Sequence, residues 1–310
     1  MRKSLCLLAM STILCSAIGC GQKGGQTVDN KEIDVVLISG QSNAVGNTWV
    51  DELTDTVGFQ RWEEFLDGYP GVQIAYDNWT KDAPNGDWNN GPFSYFSQSS
   101  SGGKFVKVKL GEGKSTDHFG PEIGIAEELH ERHENKLYLI KYAAGATNLK
   151  NDWCGRNSKM YPLFIQFVKN QINNLKSKGF KPTIKAFCWM QGEGDAWDGY
   201  WNVYQDNLRT FVGDVREDLK EYAGNKDIPF IDAGISNAPD WPKYQQVNAA
   251  KAAFAAESEN NFYIDTIAAG MHTNKEPYGH VDTAHYDSDS EVLLGHLFAQ
   301  AFEQFLISEK

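Results

Sequence analysis

The sequence predicts a single α/β domain built on a parallel, doubly wound sheet. From residue 33 onward, short and continuously apolar segments alternate with segments of helical periodicity. Continuous apolar character is typical of strands that are covered on both faces, as in parallel sheets. Strands that are joined through helices imply right-handed crossovers, which place helices on both faces of the sheet.

The individual elements follow from this alternation. The apolar runs predict strands at 33–39, 136–142, 183–190, 228–233 and 262–265. The helical periodicity predicts helices at 121–134, 161–178, 201–222, 244–257 and 290–308. Residues 50–118 break the rhythm, since they are rich in Gly, Asn, Asp and Trp and contain one short alternating strand at 105–110. A long irregular segment inside a compact domain is usually functional, so we expect an insertion over the C-terminal edge of the sheet.

Composition limits the classes of partner. The 310 residues carry a formal net charge of −12, and no basic stripe is evident. An acidic surface repels phosphate backbones, so we expect no nucleic-acid partner. A neutral polymer is compatible with this charge.

The N-terminus has the pattern of an export signal. Arg2 and Lys3 precede an apolar stretch that is too short to span a bilayer as a mature helix. The run 17–20 resembles the lipobox of bacterial lipoproteins, in which Cys20 is lipidated; a plain signal peptide with an incidental cysteine is the alternative. We therefore predict a signal peptide at 1–20, a flexible tether at 21–31 and the domain at 32–310. The expected location is the cell envelope, with membrane attachment only through the lipid.

The cysteine count changes once the signal is removed. Of the five cysteines, Cys6, Cys15 and Cys20 belong to the signal and lipidation site. Cys154 lies in a predicted loop and Cys188 in an apolar strand, so their contexts differ. A disulfide is possible in an exported protein, but a buried free Cys188 is the favoured interpretation.

Candidate functional residues follow the predicted strands directly. In open parallel sheets, ligands bind beyond the carboxyl ends of the strands. Four polar segments lie at such ends or before the last helix: 40–44, 143–148, 191–195 and 282–285. They deliver a serine, a glycine-containing turn, a Gln/Glu pair and an Asp/His pair to one edge of the sheet.

These residue types suit acyl transfer. A serine hydroxyl such as that of Ser42 needs an adjacent base to take its proton, and the imidazole of His285 is suited to that role. Asp282, three residues before His285, can fix the histidine tautomer from the same turn. The backbone N–H groups of Ser42 and Gly145, with the side chain of Gln191, are candidate donors to a developing oxyanion.

The motifs carry a family resemblance. The segments Gly-Gln-Ser-Asn at 40–43, Phe-Gly-Pro-Glu at 119–122, 141–145, 189–195 and 282–285 resemble the successive blocks of the sialate O-acetylesterase domain. That group includes the acetylxylan esterases of carbohydrate esterase family six and belongs to the SGNH hydrolase superfamily. The resemblance implies a three-layer, flavodoxin-like α/β/α sandwich and serine ester hydrolysis without metal or cofactor. By position, Ser42 matches the nucleophile, His285 the base, Asp282 the acid and Gly145 an oxyanion donor.

The sequence departs from the family pattern in two respects. The usual asparagine block of SGNH enzymes is absent, and Gln191 takes its place in the motif. Glu193 is credited in some relatives as the acidic partner of histidine, so it is a rival to Asp282, which spacing favours. Ala146 also stands where the family has a second glycine.

Several functional alternatives stay open at this level. The expected substrate is an acetylated carbohydrate, with acetylated xylan first and O-acetylated sialic acid as the alternative. A catalytically inactive sugar-binding lipoprotein and a metal-dependent phosphoesterase that uses Asp282, His285 and Glu193 are further hypotheses. Trp153 and Trp197 follow motifs of the active edge, so both are candidates to stack on sugar rings.

Overall fold

The computed structural model describes residues 31–131, 136–273, 275 and 282–308. The predicted signal peptide, the lipidation site Cys20 and nearly all of the tether lie outside the described residues. Export and lipid anchoring therefore stay predictions. Among the helices that are described, none combines the length and apolar character that a membrane crossing requires.

The strands form one large mixed sheet and a small two-stranded antiparallel sheet. The strands are β1 (Glu32–Gly40), β2 (Thr48–Trp49), β3 (Tyr69–Asp82), β4 (Ser94–Ser100), β5 (Val106–Val108), β6 (His118–Phe119), β7 (Lys136–Gly145), β8 (Lys181–Met190), β9 (Phe230–Ala233) and β10 (Asn261–Ile264). The large sheet has the order β10-β9-β8-β1-β7-β3-β4, and β5 pairs with β3. The pairs from β10 to β3 are parallel, whereas β4 and β5 run antiparallel to β3. In the small sheet, β2 pairs with β6.

Helices cover both faces of the sheet. The α-helices are α1 (Ser42–Val45), α2 (Val50–Val57), α3 (Phe59–Asp67), α4 (Glu122–Leu129), α5 (Tyr161–Ser177), α6 (Glu193–Asp198), α7 (Tyr204–Leu219), α8 (Tyr244–Ala255) and α9 (Ser288–Ser308). Helix α7 packs against α5 and α8, while α9 packs against α4 and α2. These two groups are the outer layers, so the predicted three-layer α/β/α fold is confirmed.

The chain reverses direction across the sheet next to β1. From β1 the chain passes to β3 and then to β7 on one side, and the next crossover leads to β8 on the other side. The five strands β7-β1-β8-β9-β10 thus have the flavodoxin-like order, and a crevice opens at the switch point between β1 and β8. The core strand β1 is buried from Ile33 to Gly40, which explains its continuous apolar pattern.

The expectation of an irregular insertion at 50–118 was wrong. This segment contains α2, α3 and three strands, and the 14-residue β3 extends the parallel sheet beside β7. Pro70 and Gly71 lie where the register of β3 with β5 shifts, and Asp77 and Asn78 interrupt its apolar pattern. Because β3 gains its stability from pairing with β7 and from packing, local propensity did not reveal it.

Close helix packing holds the end of the chain near the site. A Cβ added at Gly124 of α4 would lie 2.0 Å from the carbonyl oxygen of Val292, and one at Gly295 of α9 would lie 2.6 Å from the Cα of Gly124. The two helices therefore approach through glycine, and no larger residue fits there. This contact fixes α9, which begins three residues after His285.

Candidate active site

Ser42 lies in a tight turn at the end of the central strand. It is the first residue of α1 and is 7% exposed. The turn begins at Gly40, whose φ of 144° is a backbone conformation that glycine adopts readily and other residues rarely adopt. A Cβ at this position would also lie 1.9 Å from the carbonyl oxygen of Met190. The N–H of Gln41 donates to that same oxygen at 2.9 Å. The serine turn is thereby attached to the end of β8.

A buried ion pair fixes the helix that begins with Ser42. The Nζ of Lys141, on β7, donates to the Oε2 of Glu122 at 2.7 Å and to the carbonyl oxygen of Val45 at 3.2 Å. Both charged side chains are fully buried. Burial of such a pair is tolerated because each group is hydrogen-bonded. The segments 119–122 and 141–145, which resemble family motifs, thus supply the ion pair that holds the end of α1.

His285 and Asp282 form a hydrogen-bonded pair within one turn. The Nδ1 of His285 is 2.6 Å from the Oδ2 of Asp282. The Oδ1 of Asp282 accepts the backbone N–H groups of Ala284 at 2.8 Å and His285 at 3.2 Å. Both oxygens of the carboxylate are therefore used to shape this turn, as the spacing of the two residues predicts.

The histidine tautomer follows from its second contact. The Nε2 of His285 is 3.1 Å from the Nδ2 of Asn47. An amide nitrogen is a donor, so Nε2 accepts and Nδ1 carries the hydrogen that Asp282 accepts. This is the tautomer that a base acting on a serine hydroxyl requires.

The charge state of Asp282 is favourable for this role. Partial burial raises the pKa of Asp282, but the hydrogen bond and charge of His285 and two backbone N–H groups outweigh it and lower the pKa to about 2. Since this pKa lies below the ordinary value of 3.8, the ionised contact contributes to stability above about pH 4 and is lost as the pH falls through about 2. Asp282 is thus a carboxylate at any pH near neutrality.

Two neighbours of Ser42 hold the histidine loop. The Oδ1 of Asn43 accepts the backbone N–H of Tyr286 at 3.2 Å. The Oγ1 of Thr48 donates to the carbonyl oxygen of Tyr286 at 2.9 Å. Together with the contact between Asn47 and His285, these bonds attach the loop to the segment that follows β1. Residues separated by more than 230 positions therefore meet at one edge of the sheet.

Glu193 contacts a different residue from the one that the rival hypothesis requires. Its Oε1 accepts the Nδ2 of Asn43 at 2.8 Å, and its side chain is fully buried. Burial raises the pKa of Glu193, while Asn43, Lys251 and His285 oppose that shift. Asp282 is the carboxylate in contact with the His285 ring, and Glu193 supports the serine turn through Asn43.

Gly145 lies beside Ser42, whereas the Gln191 amide faces elsewhere. A Cβ added at Gly145 would lie 3.8 Å from the Cβ of Ser42. The Nε2 of Gln191 donates to the Oδ2 of Asp195 at 2.7 Å and to the Oε1 of Gln41 at 3.2 Å, and its Oε1 accepts the hydroxyl of Tyr204 at 3.0 Å. Because both ends of this buried amide are used, the prediction of Gln191 as an oxyanion donor was wrong.

Gln41 is the residue that the sequence reasoning missed. Its Oε1 accepts from Gln191 and also from the backbone N–H groups of Gly192 at 3.4 Å and Gly194 at 3.1 Å. These bonds fix the amide of Gln41 and leave its NH2 group pointing away from Gln191, Gly192 and Gly194. Gln41 also lines the cavity at the site. Its position directly before Ser42, on the same turn, was the available signal.

The backbone after Gly145 is unusual. Ala146 has a φ of 58°, a left-handed conformation that normally favours glycine. It lines the same cavity as Gln41. The family's glycine therefore corresponds to a real conformational requirement, and here an alanine meets it at an energetic cost.

A cavity of about 320 Å³ opens next to these residues. It is lined by Gln41, Lys81, Trp88, Ala146, Gly194, Trp197, Asp198, Asp240 and Trp241. Asp240 accepts the hydroxyl of Thr283 at 2.5 Å, which joins the cavity wall to the loop of Asp282 and His285. The size is at the lower end of the range for small-ligand sites.

The two tryptophan predictions have different outcomes. Trp197 is 63% exposed and lines the cavity, so its ring is available to a ligand. Trp153 is 0% exposed, and its Nε1 donates to the Oγ1 of Thr147 at 2.9 Å. Contact of Trp153 with a sugar is therefore excluded, because the indole is part of the aromatic core beside Trp189 and Phe211.

The other reactive side chains of the described ranges were predicted to be structural, and their environments agree with that. Cys154 and Cys188 are both free, and burial raises the pKa of the Cys188 thiol, as expected for an unreactive core cysteine. Within the described residues, no group of three or more His, Cys, Asp and Glu side chains is arranged to hold a metal. Glu193 bonds to Asn43 rather than joining Asp282 and His285 as the phosphoesterase hypothesis requires.

A serine turn whose neighbours Asn43 and Asn47 bond to the loop of a histidine–aspartate pair, at the carboxyl ends of parallel strands, is an arrangement typical of carboxylic ester hydrolases. The family described as "Carbohydrate esterase, sialic acid-specific acetylesterase" (SASA) matches residues 32–304. The chain belongs to this family and is a carbohydrate acetylesterase. The predicted resemblance is confirmed.

Solved structures show the same fold at low sequence identity. A protein from Arabidopsis thaliana is 19% identical with a TM-score of 0.58, and the match covers 87% of this chain and 98% of that protein. NanS is 13% identical with a TM-score of 0.59, and the match covers 90% and 99% of the two chains. A carbohydrate acetylesterase from Xanthomonas citri is 14% identical with a TM-score of 0.54, over 88% of this chain and 56% of that one. Among curated proteins, no match was found.

Proposed function

We propose that this enzyme removes O-acetyl groups from a neutral polysaccharide, with acetylated xylan as the substrate, through Ser42 as nucleophile. The observation that carries the proposal is the contact pattern of His285, whose Nδ1 bonds to Asp282 and whose Nε2 accepts from Asn47, five residues after Ser42. In this tautomer, Nε2 of His285 accepts a hydrogen bond. It can therefore take the proton of the Ser42 hydroxyl when that hydroxyl replaces the amide of Asn47 at Nε2.

The reaction proceeds in two halves. The Oγ of Ser42 attacks the acetyl carbonyl carbon while Nε2 of His285 takes its proton, and a tetrahedral intermediate forms. The bond to the sugar oxygen then breaks, and His285 returns the proton to that oxygen. Water then attacks the acetyl-serine while His285 takes one of its protons. When the second intermediate collapses, the bond between the acyl carbon and Oγ breaks, His285 returns that proton to Oγ, and acetate leaves.

The negative oxygen of both intermediates needs donors. The backbone N–H groups of Ser42 and Gly145 and the fixed amide of Gln41 supply them in this proposal. Such donors stabilise the transition state because they are held in place before charge develops.

A substitution at Gln41 tests its role. In Gln41→Glu, one carboxylate oxygen still accepts from Gln191, Gly192 and Gly194, but the NH2 donor is replaced by an acceptor. We expect kcat to fall by about 10²- to 10³-fold with a much smaller change in KM, as for loss of one oxyanion donor. Steady-state kinetics with p-nitrophenyl acetate measure this. Gln166→Glu, on the exposed face of α5, is the matched control, and equal kinetics of the two variants would contradict the role.

The charges of the cavity favour a neutral sugar. The Nζ of Lys81 is 3.1 Å from the buried carboxylate of Asp152, so its charge is already compensated. Asp198 and Asp240 add negative charge to the lining. A sugar that bears a carboxylate would approach these acids without a compensating cation among the cavity residues named above. The exposed rings of Trp88 and Trp197 suit the apolar face of a pyranose.

The description of the family itself favours a second candidate, an O-acetylated sialic acid. The two candidates differ by one charge, which makes them separable by experiment. We expect acetate release from acetylated xylan to exceed that from O-acetyl sialic acid by at least about tenfold in kcat/KM, equivalent to ~1.4 kcal/mol. Added salt is expected to raise only the rate on the anionic sugar, because it screens repulsion. A preference for sialic acid would overturn the xylan proposal.

A further inference from the structure

A second, smaller cavity continues the first. It measures about 50 Å³, and Lys81, Trp88 and Asp198 line both cavities, so the two share a wall. The residues found in the second cavity alone are Asn89, Phe93, Asn148, Asn151 and Tyr200. We propose that this cavity is a second sugar subsite, which binds a neutral sugar unit next to the acetylated one. The inference rests on the proposed function and defines its substrate class as an oligomeric or polymeric glycan.

The subsite is built on a rigid turn. The residues Leu149–Trp153 form a π-helical turn, and the Oδ1 of Asn148 caps it by accepting the N–H of Asn151 at 2.8 Å. The Nδ2 of Asn148 donates to the Oδ2 of Asp198 at 2.7 Å. The carboxylate of Asp195 also holds this turn, through the N–H of Leu149 at 2.7 Å. The wall that the two cavities share is therefore connected to the motif that follows β8.

The available groups suit sugar hydroxyls. The side chains of Asn89 and Asn151 are exposed to solvent, and each amide offers a donor and an acceptor. Tyr200 and Phe93 provide aromatic surface beside them, and the Nζ of Lys150 lies 4.6 Å from the centre of the Tyr200 ring. A combination of amides with aromatic rings matches a sugar ring, which presents hydroxyls at its edge and C–H groups on its faces.

The charge of the subsite argues for a neutral unit. Asp152, which is 1% exposed, pairs with Lys81 and also accepts the Tyr95 hydroxyl at 2.5 Å and the N–H of Asn148 at 2.8 Å. The ammonium group of Lys81 lies 4.0 Å from the centre of the Phe93 ring. Its charge is thus engaged on two sides, so Lys81 is poorly placed to bind a carboxylate or phosphate.

Chain length of the substrate tests the proposal. We expect kcat/KM of the unmodified enzyme to rise by about tenfold from acetylated xylose to acetylated xylotriose. One or two additional hydrogen bonds to sugar hydroxyls are sufficient for an increase of this size. Asn151→Ala and Tyr200→Ala are each expected to remove most of this rise. Their loss on xylotriose should exceed any loss on p-nitrophenyl acetate, which is too small to reach the second cavity. Asn170→Ala, on the exposed face of α5, is the matched control and should keep the full rise.

The outcomes separate this inference from the proposed function. If the unmodified enzyme cleaves acetylated xylose and xylotriose with equal efficiency, or if both variants keep the length dependence, the second subsite is wrong while the esterase function stands. If the enzyme hydrolyses p-nitrophenyl acetate but no acetylated xylose or xylo-oligosaccharide, both proposals are contradicted.

Discussion

Replacing Ser42 with alanine is expected to lower kcat for acetyl ester hydrolysis by about 10⁴- to 10⁶-fold, as in other enzymes that lose a serine nucleophile. The residual rate comes from the oxyanion donors and substrate binding, which the substitution leaves in place. Because the Ser42 side chain is small and no helix cap depends on it, the variant should fold normally. Acetate release from p-nitrophenyl acetate and from acetylated xylan measures the effect.

A neighbouring serine offers the control. The hydroxyl of Ser39 donates to the carbonyl oxygen of Tyr142 at 2.6 Å, within the core of the sheet. Ser39→Ala should therefore lower the melting temperature, since a buried acceptor loses its donor, but leave kcat within a few-fold. Persistence of more than about a tenth of the activity in Ser42→Ala would be incompatible with covalent catalysis by this residue.

The second large effect concerns the partner of His285. In Asp282→Asn, the amide oxygen can keep the two bonds to the N–H groups of Ala284 and His285. The amide NH2 then faces Nδ1 of His285, which forces the hydrogen onto Nε2 and removes the base. We expect kcat to fall by about 10⁴-fold, the cost of the wrong tautomer. The side chain of Asp282 is 39% exposed, so the fold should tolerate the change.

Glu193→Gln is the comparison that decides between the two acids. Its amide oxygen can still accept from the Nδ2 of Asn43, and burial already opposes a charge at this position. We expect a loss of less than about tenfold, since neutral amides at buried carboxylate positions avoid a desolvation cost. The pH dependence of kcat/KM for both variants completes the test. A larger loss in Glu193→Gln than in Asp282→Asn would assign the orienting role to Glu193.

The central strands and helices could be predicted from the sequence because each is marked by a pattern within its own residues. Strands β1, β7 and β8 are covered on both faces, so their apolar runs are continuous. Helices α5 and α7 show the periodicity of one buried face and were predicted within a few residues. Strand β3 was missed, since its identity depends on pairing with β7 rather than on its own residues.

The proposed catalytic pair also combines a contact that is local with one that is not. Asp282 and His285 are three residues apart, so their contact is local and the spacing sufficed to predict it. The contact of Asn47 with His285 crosses 238 positions and has no sequence signature. The orientation of the Gln41 and Gln191 amides is likewise a property of packing, because two identical side chains compete for the same donors and acceptors.

By itself, the sequence determined the class of fold, the family and the candidate catalytic residues, because strand burial, turn spacing and residue type are encoded within short segments. The tertiary structure decided which residue Glu193 contacts, which glutamine is left free to donate, and which tryptophan reaches the cavity. Those outcomes depend on the hydrogen bonds and burial that residues acquire only when distant segments pack together, and no local pattern contains that information.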